Sequence, residues 1–366
     1  MSGHAAIVGG GLAGAACAWA LTRRGWRVTL CEREARPGVH ASGRNAGLVR
    51  RLERDPAIAA LSRRGAELLA APPADLASAP LYRRTGSLLL ASDPAQLEPE
   101  VAAARAAGVE VELGPASAHP ACARLETGER LAAWTPADGV ADPHEVLSAL
   151  LAAARAAGAE VRLETPAALE LEAGAVVGVR CGEDLVRADV TILAAGPWAA
   201  DLARAAGGLD LELQSYRRHL FWTGPLEGVD PDLPWVWDLE RGFYLRPESA
   251  GWLLCACDHE PRPPEDAQPI PDAHERLAEK VARVAPELAD HPVARYWAGL
   301  RSFAPDECFV VGPDPRRAGL FWATGLGGHG LTTSSALGLL TGELLAGEAS
   351  PGAFDPARFS TARATS

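Results

Sequence analysis

An α/β fold is predicted by three observations. Residues 4–32 read as strand, glycine-rich turn, small-residue helix and strand; residues 211–258 alternate polar and apolar as an antiparallel sheet does; residues 319–346 return to strand, glycine loop and helix. The first and third describe one kind of layered unit at both ends of the chain, and the second describes a different sheet between them.

Taken in order, residues 4–9 (His-Ala-Ala-Ile-Val-Gly) form a short buried strand, residues 12–24 a helix of small residues and residues 26–32 a second strand. A helical segment follows over 56–69, then turns at Pro72, Pro73 and Pro80, then a strand at Ser87–Ala91. Residues 94–113 read as helix followed by strand. Residues 143–157 place apolar side chains at helical spacing, stop at Gly158 and lead into a strand over 160–163. Alternating strands occupy 168–191, and a tight turn lies at Ala194-Ala195-Gly196-Pro197-Trp198. The antiparallel stretch 211–258 precedes a helix over 274–284. A strand over 319–324 and a helix from about 333 to 346 close the pattern. If both glycine-rich loops face one ligand, the chain leaves its first domain and returns to it. No internal repeat and no linker interrupts it.

The chain of 366 residues is 48% hydrophobic, enough for a sizeable core. Its 35 basic and 47 acidic side chains give a net charge of −12, which argues against a nucleic-acid partner, since that needs a clustered basic face. Lys280 is the only lysine. Seven scattered cysteines suit reduced thiols in a cytoplasm better than a disulfide framework. Two uncharged stretches, 5–22 and 318–342, are broken by glycines and read as no membrane span. Cys255-Ala256-Cys257-Asp258-His259 lacks the second cluster that a four-ligand metal site requires, so no metal is expected.

Gly9-Gly10-Gly11-Leu12-Ala13-Gly14 is a G-x-G-x-x-G turn between strand and helix, and Glu32 lies 18 residues beyond Gly14 at the end of the next strand. That is the dinucleotide fingerprint of a Rossmann-like domain. Gly9 permits the turn, Gly11 lets backbone approach a pyrophosphate, and Gly14 lets helix pack on strand. Free N–H groups at the helix start, Leu12 and Ala13 among them, meet the phosphates. Glu32 would accept from the adenosine ribose and disfavours a 2′-phosphate. Composition leaves FAD and NAD open, but the small-residue run after the second strand suits a flavin, whose ring system needs close backbone.

These residues resemble the D-amino-acid oxidase superfamily of FAD-dependent amine-oxidising enzymes, in its glycine oxidase, sarcosine oxidase and D-arginine dehydrogenase branch. Its marks are the fingerprint, Ser42-Gly43-Arg44-Asn45-Ala46-Gly47, Ala141-Asp142-Pro143, the 194–198 turn, Gly299-Leu300-Arg301-Ser302-Phe303 and Gly327-Gly328-His329-Gly330-Leu331-Thr332-Thr333. The resemblance covers essentially the whole chain. It implies a discontinuous FAD domain (1–80, 146–206 and 298–366) and an α+β substrate domain (81–145 and 207–297) with a large, mostly antiparallel sheet over the flavin. Cofactor contacts are implied for Arg33, Ser42, Gly43, Asn45, Ala46, Gly47, Leu48, Ala195, Gly196, Trp198, Gly328, Gly330, Leu331 and Thr332.

By the same resemblance, Arg301 matches the arginine that holds the substrate carboxylate; the alternative is an ion pair with Asp306 or Glu307. Arg217 matches a second carboxylate contact, with Arg218 the other choice. Tyr244 aligns with a tyrosine that hydrogen-bonds substrate, or is core. His329 approaches the flavin edge, and the 328–332 amides would stabilise charge on the reduced ring. Sarcosine oxidases have a flavin-bonding cysteine where Gly299 stands, so FAD should be non-covalent. Their oxygen-activating lysine is missing, which favours a dehydrogenase or slow oxidase, with oxygen or another acceptor as partner. Leu48 and Gly86 replace residues that bind an arginine substrate, which favours an uncharged side chain. The expected reaction is oxidation of a D-amino acid or glycine-like substrate at Cα–N, by hydride transfer to flavin, to an imine that hydrolyses to keto acid and ammonia. Alternatives are a secondary-amine oxidase acting on an N-methyl or cyclic amino acid, and a non-catalytic flavoprotein subunit.

Overall fold

The computed structural model describes residues 3–360. Its helices are α1 (Leu12–Arg23), α2 (Pro56–Ala70), α3 (Glu98–Ala106), α4 (Pro143–Ala156), α5 (Ala199–Ala205), α6 (Asp272–Val284) and α7 (Gly330–Leu345). Local chemistry starts several of them. Asp55 accepts from the Ala57 and Ile58 amides ahead of α2, and Asp142 accepts from His144 ahead of α4; each is followed by proline at the first helical position. Neither Gly11 ahead of α1 nor His329 ahead of α7 caps its helix with a side chain.

A six-stranded sheet runs in the order Val310–Pro313, Leu320–Thr324, Val190–Leu193, His4–Val8, Arg27–Cys31, Glu160–Arg162. All neighbours are parallel except the first pair. Strand alternation sends Ala5 and Ile7 into a core shared with α1, α4 and α7, while Ala6 and Val8 enter a second core under the small sheet of Ala168–Glu172, Ala175–Cys181 and Asp184–Arg187. Both faces are therefore covered, as a parallel sheet requires.

A nine-stranded sheet forms the other body. Its path is Glu260–Arg262, Gln214–Trp222, Gly251–Cys255, Phe243–Glu248, Trp235–Asp238, Ser87–Ala91, Leu131–Thr135, Glu112–Pro115, with Arg295–Phe303 also paired to Gln214–Trp222. It is antiparallel apart from Trp235–Asp238 against Ser87–Ala91. α6 closes one of its faces through Leu277, Val281 and Val284. The two sheets and their chain order match the α/β and α+β architecture expected above.

Elements that lacked a sequence signal include α5 and the strands Leu131–Thr135, Glu260–Arg262, Arg295–Phe303 and Val310–Pro313. Gly299 sits at the middle of the continuous strand Arg295–Phe303. α7 begins at Gly330, three residues before the expected 333, because the glycine loop itself winds into the first turn.

Candidate active site

The dinucleotide end is built by close backbone approach. Gly9 has φ +110°, where a Cβ would lie 2.5 Å from the Ala194 carbonyl oxygen, and a Cβ on Gly14 would fall on the Gly9 carbonyl. These contacts draw α1 against the first strand and aim its start outward. There the Ser42 hydroxyl accepts from the Leu12 amide at 3.0 Å. The buried Glu32 carboxylate accepts from the Gly10 amide at 2.6 Å and the Glu34 amide at 3.0 Å. A carboxylate has about four acceptor positions, so two remain for ribose hydroxyls. Glycine cradle, open helix start and anchored carboxylate fit the adenosine diphosphate half of FAD.

A cavity of about 310 Å³ continues from this turn to the nine-stranded sheet. Of the residues implied by resemblance, Gly11, Leu12, Ala13, Ser42, Asn45, Ala46, Leu48, Gly196, Gly328, Gly330, Leu331 and Thr332 line it. Gly43 and Asn45 border a second, more open space of about 670 Å³. Gly47, with φ +70°, donates its amide to the Asn45 side chain at 2.8 Å and shapes the loop. Arg33 and Trp198 lie outside the 310 Å³ cavity and stack on each other at 3.8 Å, with Ala195 in the turn before them. The start of α7 points its unpaired amides into the cavity, and the Thr332 hydroxyl ties this turn to the Arg50 amide at 3.0 Å.

At the far end, strand register decides which arginine faces the cavity. Tyr216 is opposite Arg301, Arg217 opposite Leu300, and Arg218 opposite Gly299. Arg218 and Arg301 therefore share the cavity face. Arg217 points to the other face, where it pairs with Glu260 at 2.7 Å and donates to the Gln268 carbonyl. The placement of Arg217 departs from the expectation, and the reason is the period of two. At Gly299 the missing side chain makes room for Arg44, whose Cβ would lie 3.2 Å from a Cβ built there.

Neither cavity arginine forms an ion pair among the described residues. Arg218 donates to the Asp258 and Cys257 carbonyls at 3.1 and 3.2 Å. Arg301 donates to His259 Nδ1 at 2.9 Å, and its buried Nε has no partner. Asp306 is taken by Arg358 instead. Burial, reinforced by the Arg218 charge, lowers Arg301 to about 10. Two half-buried guanidiniums with open donors form an anion site. Tyr244 stands beside them opposite Trp237 and Cys255 in the sheet, and burial raises its phenol well above the ordinary range, so it remains a hydrogen-bond donor.

Sequence reasoning missed the group that fixes His329. Glu53 accepts from His329 Nδ1 at 2.7 Å and from Arg50 through two bonds, at 3.0 and 2.5 Å. Burial alone would raise the Glu53 carboxyl, but Arg50 and His329 outweigh it and hold it below the ordinary carboxylate range. Arg50 also lies over the Trp237 ring at 5.0 Å. The only trace of this trio in the sequence is the charged run Arg50-Arg51-Leu52-Glu53, which reads equally as a solvated turn.

Comparison with known proteins agrees with the geometry. A family model described as FAD dependent oxidoreductase (DAO) matches residues 4–344. The chain is 31% identical over 174 residues to glycine oxidase from Pseudomonas putida, covering 48% of this chain and 46% of that protein. It is 29% identical over 214 residues to 4-methylaminobutanoate oxidase (formaldehyde-forming) from Paenarthrobacter nicotinovorans, covering 56% of this chain and 26% of that protein. These matches thus span between about a quarter and a half of the curated relatives' lengths. Among solved structures, L-proline dehydrogenase from P. horikoshii superposes with a TM-score of 0.89 at 23% identity, over 99% of this chain and 98% of that one, which establishes the shared fold. With the fingerprint, the cavity and the family match in agreement, the chain belongs to the DAO family of FAD dependent oxidoreductases.

Proposed function

We propose that the chain oxidises a small amino acid at its Cα–N bond, its carboxylate held by Arg301 and Arg218. The observation that carries this is the pair of half-buried guanidiniums with no ion-pair partner among the described residues, beside Tyr244 and facing the start of α7. FAD, when bound, supplies the two-electron acceptor. Arg301 offers the planar fork that matches a carboxylate, Arg218 a second charge, and the Tyr244 hydroxyl a neutral donor. Together they fix one end of the substrate and leave Cα and the amine little freedom, so orientation supplies most of the rate. Leu48, Leu220 and Trp237 form an apolar wall that suits a small uncharged side chain and excludes water. The amine must be neutral to release hydride, so turnover rises with pH.

The same wall accommodates a substituent on nitrogen, which favours a second reading as oxidation of an N-methyl or cyclic amino acid. The formaldehyde-forming relative and the proline dehydrogenase neighbour support it. Gly299 provides no thiol for a flavin bond, which supports non-covalent FAD. Lys280 donates to the Gly242 and Ala256 carbonyls at 2.7 Å each, away from the cavity, which supports slow reaction with oxygen.

The deciding experiment mixes the holoprotein anaerobically with D-, L- and N-methyl amino acids and follows its visible absorption. Bleaching with ammonia and a keto acid as products supports the first reading; formaldehyde or a cyclic imine selects the second. A holoprotein that no member bleaches overturns both.

A further inference from the structure

Cys31 ends the strand Arg27–Cys31 and Cys181 ends the strand Ala175–Cys181, in two different sheets. Their sulfurs lie 3.4 Å apart, although 150 residues separate them in sequence. A disulfide needs about 2.05 Å between sulfurs, so the two must move closer before they bond. Cys31 is buried, whereas Cys181 is half-exposed.

Arg162, the register partner of Cys31 on the next strand, is paired with Glu160 at 2.7 Å. Burial pushes the Cys31 thiol up to about 12, so the half-exposed Cys181 meets an oxidant first and Cys31 resolves. The other thiols differ. Cys17, Cys122 and Cys308 are buried, and Cys255 and Cys257 sit two residues apart at the end of one strand.

We propose that Cys31 and Cys181 are a reversible disulfide site, closed by a hydroperoxide and reopened by a dithiol. In the first step the Cys181 thiolate attacks the peroxide O–O bond, forming a sulfenic acid and releasing hydroxide, which becomes water. In the second, Cys31 attacks that sulfur, forming the S–S bond and expelling a second water. Two thiols lose two hydrogens, and one hydrogen peroxide becomes two waters. The bond would tether the strand end that carries Glu32 to the three-stranded sheet. It would also close a long loop in the unfolded chain, which stabilises the fold.

The test treats the FAD-loaded protein with hydrogen peroxide, blocks remaining thiols with iodoacetamide in denaturant, and maps tryptic peptides. Arginine spacing places the two cysteines in short peptides, residues 28–33 and 181–187. The expected result is those two peptides joined, lighter by two hydrogens than the free pair and separated by dithiothreitol, with a higher thermal midpoint that dithiothreitol reverses. The half-exposed position of Cys181 lets Cys181→Ser fold, and in it residues 28–33 should stay alkylated and the midpoint should not rise. Both peptides alkylated at a peroxide dose that oxidises Cys257 overturns the proposal. So does Cys181 driven to sulfinic acid with Cys31 free, or a linked pair whose midpoint falls.

Discussion

Arg217 and Arg218 are adjacent in sequence and opposite in consequence. Arg218→Met and Arg301→Met each remove a half-buried charge from the carboxylate site, which costs about 2 kcal/mol or more once a carboxylate is bound. The dissociation constant of a carboxylate inhibitor, read from perturbation of the visible spectrum, should then rise by roughly 30-fold or more. Arg217→Met should leave that constant nearly unchanged while lowering the urea midpoint, because it strips the partner from Glu260 on the opposite face. Equal weakening by all three variants would contradict the register. Glu53 makes a second case. Glu53→Gln leaves the Arg50 charge unpaired in a buried site, and should destabilise by about 3 kcal/mol at neutral pH. The Glu53 carboxyl lies below its unfolded value, so its contribution is full above that value and is lost as pH falls through the lower, folded one. The gap between wild type and Glu53→Gln should therefore shrink in acid. Unfolding curves at a series of pH values would show a flat gap if the trio is merely decorative.

Among the elements, α1 and α7 do most to join fold to site, since both aim their starts at the cavity. They pack so closely that a Cβ on Gly338 would fall on the Ala16 carbonyl. Gly338→Ala should therefore cost about 1–3 kcal/mol by forcing the helices apart. It should also weaken FAD binding, although Gly338 lies two turns from the cavity. A variant destabilised to that extent with unchanged FAD affinity would show that helix separation and cofactor site are independent. The helices were legible in sequence because their glycines fall at the starts that ligand and strand dictate. Arg295–Phe303 was not, because Gly299 at its centre carries no side-chain signal and the pairing that makes it a strand comes from residues 214–222, far upstream. The same non-locality hid the Glu53, Arg50 and His329 trio, whose members are 279 residues apart at the widest hydrogen bond.

At the scale of the whole molecule, two sheets of different type meet over one cavity, and side chains on the loop at residues 43–47 connect them. Arg44 pairs with Asp266 at 2.6 Å and donates to the Ala267 carbonyl at 2.8 Å, while Arg246 donates to the Ala46 carbonyl at 2.5 Å. The general plan was readable from the two glycine loops at opposite ends of the chain, each of which needs a ligand to explain it. The inward face of the large sheet was not readable to the residue, because a single step along a strand exchanges the faces. The strand Leu320–Thr324 and the start of α7 complete a pocket opened by residues 9–14. A nascent polypeptide on the ribosome therefore has no finished flavin pocket until more than 330 residues have been translated and the late strand has docked beside residues 190–193. Uptake of the yellow pigment should be a late event, and colour in an expression culture reports on molecules in which that strand and α7 have docked.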